Sequence, residues 1–340
     1  MKSIRKASRL ARLLLDFKRR RAVVGGLPFR IWIETASCCN LRCVMCPNRE
    51  LAASRKGLMD LGLFRKIIDE CRDFASDVYL HHRGEPLMNP ALFDMIACAR
   101  AAGLKTRFHT NGTLLDETKA RRLLEAGPDL VSFSFDGFSR ELYEQVRSGA
   151  SFETTLANII RLAELRRQMG LLKPYIVVEK IRFRNPPAPV DAAQAAATES
   201  RLRGAGVDEI IEKEEYEWAV ETAPNLNRPS PGSVCTFPWY AMVVCADGTV
   251  TPCPQDFYAA MRMGNARESS LREIWNGPGY QALRRNLAHN LPSLALCRKC
   301  DRLCRKTFAG LPLQYMATFL IDHILGYGRL RKLFGTQERN

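Results

Sequence analysis

From Phe29 onward the chain alternates strand-like and helix-like stretches, and over its 340 residues this rhythm limits the fold more than any other feature. Phe29 to Thr35 (FRIWIET) alternates apolar and polar residues and runs into a cysteine-rich loop, as a strand delivering a loop does. Helix-like Asp60 to Phe74 then precedes strand-like Val78 to Leu80, and Pro90 to Ala102 precedes Lys105 to His109. Asp116 to Ala126 precedes Leu130 to Phe135, Phe152 to Met169 precedes Pro174 to Val178, and Ala192 to Gly204 precedes Glu209 to Glu212. Alternation of this kind means parallel strands joined by crossover helices. Six strands fall short of the eight of a closed barrel, so residues 27–218 are expected to form an α/β fold, a partial (β/α)6 TIM-like barrel.

Thr222 to Ser233 (TAPNLNRPSPGS) holds three prolines and reads as a linker, placed at residues 219–234. A small cysteine-rich domain is expected at 235–306, with a basic arm at 1–26 and an amphipathic basic tail at 307–340. The chain has 12 cysteines and no apolar signal stretch at its N-terminus, where Lys and Arg dominate. In a reducing cytoplasm, clustered thiols are metal ligands more often than disulfides. The net charge of +15 points to an anionic partner without choosing among nucleic acid, membrane and phosphorylated substrate. Nucleic acid is the least supported, because no aromatic and basic platform accompanies the charge.

The cysteines of the first loop are Cys39, Cys43 and Cys46, with Asn40-Leu41-Arg42 inside the first gap and Pro47 after the last. Three thiolates from one loop can hold three irons of a [4Fe–4S] cubane and leave the fourth open to another ligand. Zinc is the alternative metal, but a structural zinc site uses four protein ligands. The adjacent Cys38 is read as packing around the loop.

This loop resembles the signature of the radical S-adenosylmethionine superfamily. The resemblance implies that the methionyl amine and carboxylate chelate the open iron, and that one electron breaks a carbon–sulfur bond to give a 5′-deoxyadenosyl radical. His82-Arg83-Gly84-Glu85-Pro86 is similar to the family's glycine-glycine-glutamate element, with Arg83 in place of the first glycine. The resemblance therefore makes Gly84 and Glu85 contacts of the methionyl amine. It also makes Asn111, Ser134 and Asp136, at the ends of two strands, candidates for the ribose and carboxylate, and Arg147 a bidentate partner for the carboxylate. Asn111-Gly112 and Asp136-Gly137 are equally good plain turn signals, and Arg147 fits a solvated helix position as well.

In the C-terminal part, Asp247-Gly248 marks a hairpin that returns Cys253 toward Cys235, and Cys297-Arg298-Lys299-Cys300 adds a close pair. Four cysteines give a closed site, and zinc suits it as well as iron. The pattern resembles the SPASM/twitch appendage of many radical enzymes. The six cysteines from Cys235 on favour one auxiliary [4Fe–4S] cluster on Cys235, Cys253, Cys297 and Cys300, with Cys304 able to replace one of them. Cys245 lies on an apolar strand and reads as packing, as do Cys71 and Cys98 within helices.

Relatives of this kind oxidise or epimerise sugars and aminocyclitols, or crosslink ribosomally made peptides. The expected function is oxidation or epimerisation of a sugar, cyclitol or lipid-linked small molecule, with electrons from a flavodoxin- or ferredoxin-like reductant. The alternatives are a peptide maturase, expected to work with a separate recognition protein because no fused leader-recognition domain is expected before Phe29, and a non-catalytic membrane-associated electron carrier. His81, His82, Asp247, Asp256 and Glu179 are all able to move protons, and nothing in the sequence ranks them. Ile4 to Phe17 is a basic amphipathic helix, and Leu313 to Phe334 an apolar stretch with a basic finish. The expected location is the cytoplasm, either free or in peripheral contact with the inner face of the membrane.

Overall fold

The computed structural model describes residues 2–215, 234–304, 307–308 and 311–312. The linker up to residue 233 and nearly all of the 307–340 tail therefore lie outside the described residues, as does the side chain of Cys304. In chain order the elements are α1 (Lys2–Lys18), β1 (Arg30–Ile33), α2 (Leu61–Cys71), β2 (Asp77–Tyr79), α3 (Leu92–Ala101) and β3 (Lys105–Thr110). There follow α4 (Glu117–Ala126), β4 (Leu130–Ser134), α5 (Arg140–Val146), α6 (Phe152–Gln168), β5 (Tyr175–Arg182), α7 (Ala192–Ala205) and β6 (Glu209–Glu214). The C-terminal part contributes α8 (Phe237–Tyr240), β7 (Ala241–Val244), β8 (Thr249–Thr251), β9 (Gly264–Asn265), α9 (Leu271–Trp275) and α10 (Pro278–His289). All six expected strands are present, alternating with helices, and the class is α/β. The sequence reading misses α5, whose seven residues are too few for a clear helical period.

Contacts divide the described chain into two compact units, one holding residues 34–61 and 79–215, the other 2–33, 62–78 and 234–304. In the first unit β3, β4, β5 and β6 pair in parallel. One face of this sheet carries Phe108, Val131, Phe133, Ile176 and Val178, all with no exposed surface, as the helix-covered face of a parallel sheet should. The register aligns Arg107 with Leu130, His109 with Ser132, Ser134 with Glu179 and Ile181 with Lys213 on the other face. That face is polar where the strands end, a departure from the apolar rule for parallel sheets.

Helix starts are fixed by residues legible in the sequence. Asp116 caps α4 through the Lys119 N–H, Ser151 caps α6 through Thr154, and Asp191 caps α7 through Gln194. Gly127 and Gly206 end α4 and α7 in the left-handed region, where a side chain would add strain.

In the second unit β1 pairs in parallel with β7, and β7, β8 and β9 form an antiparallel meander. The expected hairpin between Cys235 and Cys253 is thus observed, with Gly248 at φ 93° in its turn. Helix α1 buries Leu13 and Phe17 and leaves Leu14 and Leu15 exposed. The Phe17 ring meets Trp239 edge-on at 5.5 Å, and buried Asp16 accepts from the Gly25 and Gly26 N–H groups at 2.9 and 3.0 Å.

Candidate functional site

The first cysteine loop is tied down from both sides by main chain. Arg42 and Val44 donate to the carbonyls of Ser148, just past α5, and Val146, its last residue, at 3.0 and 2.9 Å, and Cys46 donates to Cys43. On the other side Glu85 donates to the Cys38 carbonyl at 2.9 Å. Asn48 completes the clamp, its amide bridging the carbonyls of Ser37 and Arg83 at 2.8 Å each. Asn89 does the same for Thr35 and Met59. Neither asparagine stands out in the sequence, because an asparagine near a loop is an ordinary turn residue until its partners are known.

Gly84 is required here by the packing of the cysteine loop. A Cβ at this position would sit 2.3 Å from the Cys38 carbonyl oxygen and 2.5 Å from that of Ala36, so the glycine lets its strand end press on the cysteine loop itself. Arg83, the departure from the family pattern, is buried and makes a bidentate pair with buried Glu34, Nε donating at 2.6 Å and Nη2 at 2.5 Å. The pair neutralises two charges at the root of the loop, a function a glycine would not supply.

The sulfurs of Cys39 and Cys43 have polar company. The Leu41 N–H lies 3.5 Å from Cys39 Sγ, the Asn111 amide 3.9 Å from the same sulfur, and Arg147 Nη1 3.8 Å from Cys43 Sγ. Burial pushes the Cys39 thiol up to about 12 against the lowering effect of the Leu41 N–H. Cys43 and Cys46 are raised by burial as well. One buried and two half-buried sulfurs that neighbour one another and face N–H donors suit thiolates bound to iron, which removes the proton that burial retains.

Glu85 is fully enclosed, and its carboxylate accepts from Leu87 N at 3.0 Å, Thr110 Oγ1 at 2.7 Å and Asn111 N at 2.7 Å. Burial raises it and these donors oppose the rise. Asn111 also donates to the Asn40 side chain at 3.0 Å, so the loop, the glutamate and the end of β3 form one network. Asp136 is buried and committed: Oδ2 holds Arg147 at 2.7 Å and Oδ1 accepts from Ile181 N at 2.8 Å. Burial alone would lower Arg147, but Asp136 and Cys43 outweigh it and hold the guanidinium charged. Arg147 is therefore paired and only 12% exposed, not a solvated helix charge. Ser134 ends β4, half-buried and in register with Glu179, and is not drawn into this network.

The C-terminal cysteines are also brought together. Burial raises Cys253 to about 12, helped by Cys235 and Asp256, and Cys297 is pushed up by burial together with Cys253, Cys235 and Cys300. Sulfurs that raise one another share one small space, and a cation or cluster between them relieves that repulsion. Main-chain N–H groups of Phe237, Gln255 and Asp256 face Cys235 and Cys253. Cys245 and Cys71 are buried, whereas Cys98 is only half-buried. Of the proposed proton movers, Asp256 binds the Ala260 and Met261 N–H groups and Asp247 that of Thr249, so both serve turns.

Comparison with known proteins agrees with this geometry. The Radical SAM superfamily pattern matches residues 33–172, and that of an iron–sulfur cluster-binding SPASM domain matches 235–301. The chain is 26% identical over 295 residues to the tungsten-containing aldehyde ferredoxin oxidoreductase cofactor-modifying protein of Pyrococcus furiosus, covering 74% of this chain and 81% of that one. It is 26% identical to the PqqA peptide cyclase of Granulibacter bethesdensis, over 81% of this chain and 80% of the relative. It is 22% identical to the S-adenosyl-L-methionine-dependent 2-deoxy-scyllo-inosamine dehydrogenase of Niallia circulans, over 82% and 94%. The crystal structure of BtrN in complex with AdoMet and 2-DOIA superposes with a TM-score of 0.53 at 20% identity, covering 81% of this chain and 93% of that one, a likeness of fold. With a partial α/β barrel, a three-cysteine loop and a second set of converging cysteines, the chain belongs to the radical SAM superfamily and carries a C-terminal SPASM domain.

Proposed function

We propose that this radical SAM enzyme dehydrogenates a secondary alcohol of a sugar, cyclitol or lipid-linked small molecule. The observation that carries the reading is the pairing of a three-sulfur loop, flanked by a polar network, with a second group of cysteines whose sulfurs face one another. Cys39, Cys43 and Cys46 would hold a [4Fe–4S] cluster, which when bound would supply the electron for reductive cleavage of S-adenosylmethionine.

The chain's own groups position and shield the nucleoside. Asn111 and Arg147 point their donors at the loop and are assigned to the methionyl carboxylate. Glu85 keeps the loop, β3 and the Gly84 turn in one arrangement, and its remaining acceptor capacity is assigned to the methionyl amine. Asp136 serves indirectly by fixing Arg147. Cys235, Cys253, Cys297 and Cys300 are assigned to an auxiliary cluster, which would supply an electron acceptor. A flavodoxin- or ferredoxin-like protein would supply reducing equivalents.

Anaerobically reconstituted protein with S-adenosylmethionine and dithionite is expected to release 5′-deoxyadenosine, and to hold about eight irons per chain, four for each cubane. Replacing Cys39, Cys43 and Cys46 with Ala should abolish the nucleoside and remove about half of the iron. A protein with full iron and no 5′-deoxyadenosine would instead be an electron carrier. Crosslinking of an added peptide, with no oxidation of cyclitols, would favour the peptide-maturing reading.

A further inference from the structure

The polar face of the β3–β6 sheet carries a row of groups that the cysteine network does not use. The backbone N–H of His109 donates to His81 Nδ1 at 3.2 Å, and the two imidazoles stack with centroids 4.3 Å apart. His109 Nδ1 lies 3.6 Å from Glu179 Oε2, and that same oxygen takes Lys213 Nζ at 2.6 Å. His109 comes from β3, Glu179 from β5 and Lys213 from β6, and the register puts all three on one face. His109 is two residues from Asn111 along the strand end that joins the cysteine loop.

Hydrogen-bond bookkeeping separates the two histidines. A backbone N–H can only donate, so His81 Nδ1 must be an acceptor and the neutral ring carries its proton on Nε2. His81 Nε2–H is thus a donor. His109 is the reverse: the Glu179 carboxylate beside its Nδ1 favours the proton there and leaves the lone pair on Nε2. The Nδ1 to Oε2 distance is longer than a formed hydrogen bond, and it needs to shorten only when the ring gains a charge. Burial lowers both histidines below the ordinary imidazole value, while Glu179, despite burial, is held down at about 2 by Lys213 and His109. His109 is therefore neutral at pH 7 beside a fixed anion. Its side chain is still 28% exposed, so a substrate can reach it.

We propose that His109 is the catalytic base that receives the hydroxyl proton of the substrate, oriented by Glu179, which Lys213 in turn anchors. The inference rests on the dehydrogenation reading and names the group that reading leaves open. The 5′-deoxyadenosyl radical would remove the carbinol hydrogen atom and become 5′-deoxyadenosine, leaving a ketyl radical. Transfer of the hydroxyl proton to His109 Nε2 and of one electron to an oxidised iron–sulfur cluster forms the C=O bond. His81 Nε2–H is available to hold a second oxygen of the substrate, which suits a vicinal diol or amino alcohol.

The chain contains five histidines, so nitrogen NMR of histidine-labelled full-length protein can follow each ring. The expected result is a neutral His109 at pH 7 with its proton on Nδ1, and a neutral His81 with its proton on Nε2. In Glu179→Gln the His109 titration should move to lower pH by about one unit or more, because the stabilising anion is gone while Lys213 stays. His81, His82, Glu179 and Lys213 are the charged or titratable groups acting on this pair, so Lys213→Met should move it the other way. A His109 proton on Nε2, or a ring already charged at pH 7, overturns the proposal. With 2-deoxy-scyllo-inosamine as first probe, the acid limb of the oxidation rate should coincide with the His109 titration and follow it in Glu179→Gln. A limb that stays fixed while the NMR titration moves also overturns it. Absence of 5′-deoxyadenosine in the wild type would sink the dehydrogenase reading itself and leave the histidine states measurable.

Discussion

The two groups of cysteines solve the same problem, how to keep sulfurs close together and largely out of water, with different surroundings. Around Cys39, Cys43 and Cys46 the neighbours are side chains with directional chemistry: the Asn111 amide, the Arg147 guanidinium and the Glu85 carboxylate held by three donors. Around Cys235, Cys253, Cys297 and Cys300 the neighbours are mainly main-chain N–H groups and the other sulfurs. Three sulfurs beside polar side chains leave a coordination position and a place for a zwitterionic ligand. Four sulfurs facing one another leave neither. The difference teaches that the number of cysteines matters less than what stands in the gap between them.

The largest test of that contrast removes one group at a time. Ala at Cys297 and Cys300 should cost about half of the iron, like Ala at the three loop cysteines, yet leave abortive cleavage of S-adenosylmethionine while stopping ketone formation. Iron content, 5′-deoxyadenosine and product would be measured in parallel. Normal product formation from the double variant would show that the C-terminal group is structural, and zinc in that group would reassign its metal.

A smaller effect is expected within the loop network. Replacing Arg147 with Met strands the buried Asp136 carboxylate, and breaking a pair of this kind costs about 3–5 kcal/mol of stability in denaturant melts. Adding Asp136→Asn should return most of that cost, since Asn keeps an acceptor for Ile181 N–H. The affinity for S-adenosylmethionine should stay weakened about tenfold or more in the double variant, the loss expected for one charge-assisted contact. If stability and affinity both recover, Arg147 acts only as a structural partner of Asp136.

The contrast between the two groups also explains what could be read from the chain. Spacing within a short loop is local information, so Cys39, Cys43 and Cys46 were legible, and so were the six strands, because strand and helix periods are local too. Cys235 and Cys253 were reachable through one hairpin turn at Gly248. What could not be read was partner identity across the fold. Asn48 becomes a clamp only when the Ser37 and Arg83 carbonyls converge on it, and Glu34 has a purpose only once Arg83 is folded onto it. His109 reads as the end of a strand, but its pairing with Glu179 and Lys213 depends on register between β3, β5 and β6, which no single segment encodes.

The smallest effect concerns α1, where two faces of one helix make opposite predictions. Leu13 and Phe17 are about 5% and 3% exposed and pack into the second unit, so the helix has a protein surface to cover and is not wholly available to lipid. Leu13→Ala should therefore cost about 2–5 kcal/mol, as a buried large-to-small change does. On the other face Leu14 and Leu15 are 43% and 44% exposed, among exposed Arg9, Arg12, Lys18 and Arg19. No described helix is long and apolar enough to cross a membrane, so any lipid contact of this face is interfacial. Changing Leu14 and Leu15 to Ser should alter stability by less than about 0.5 kcal/mol each. Flotation with anionic vesicles at low salt then measures the surface directly: fewer Leu14 and Leu15 variant molecules should float than wild type, and neutral vesicles should recover little of either. Equal recovery of wild type and variant with anionic vesicles would leave α1 as a packing element only, its basic residues solvating a helix whose one working face is already covered by protein.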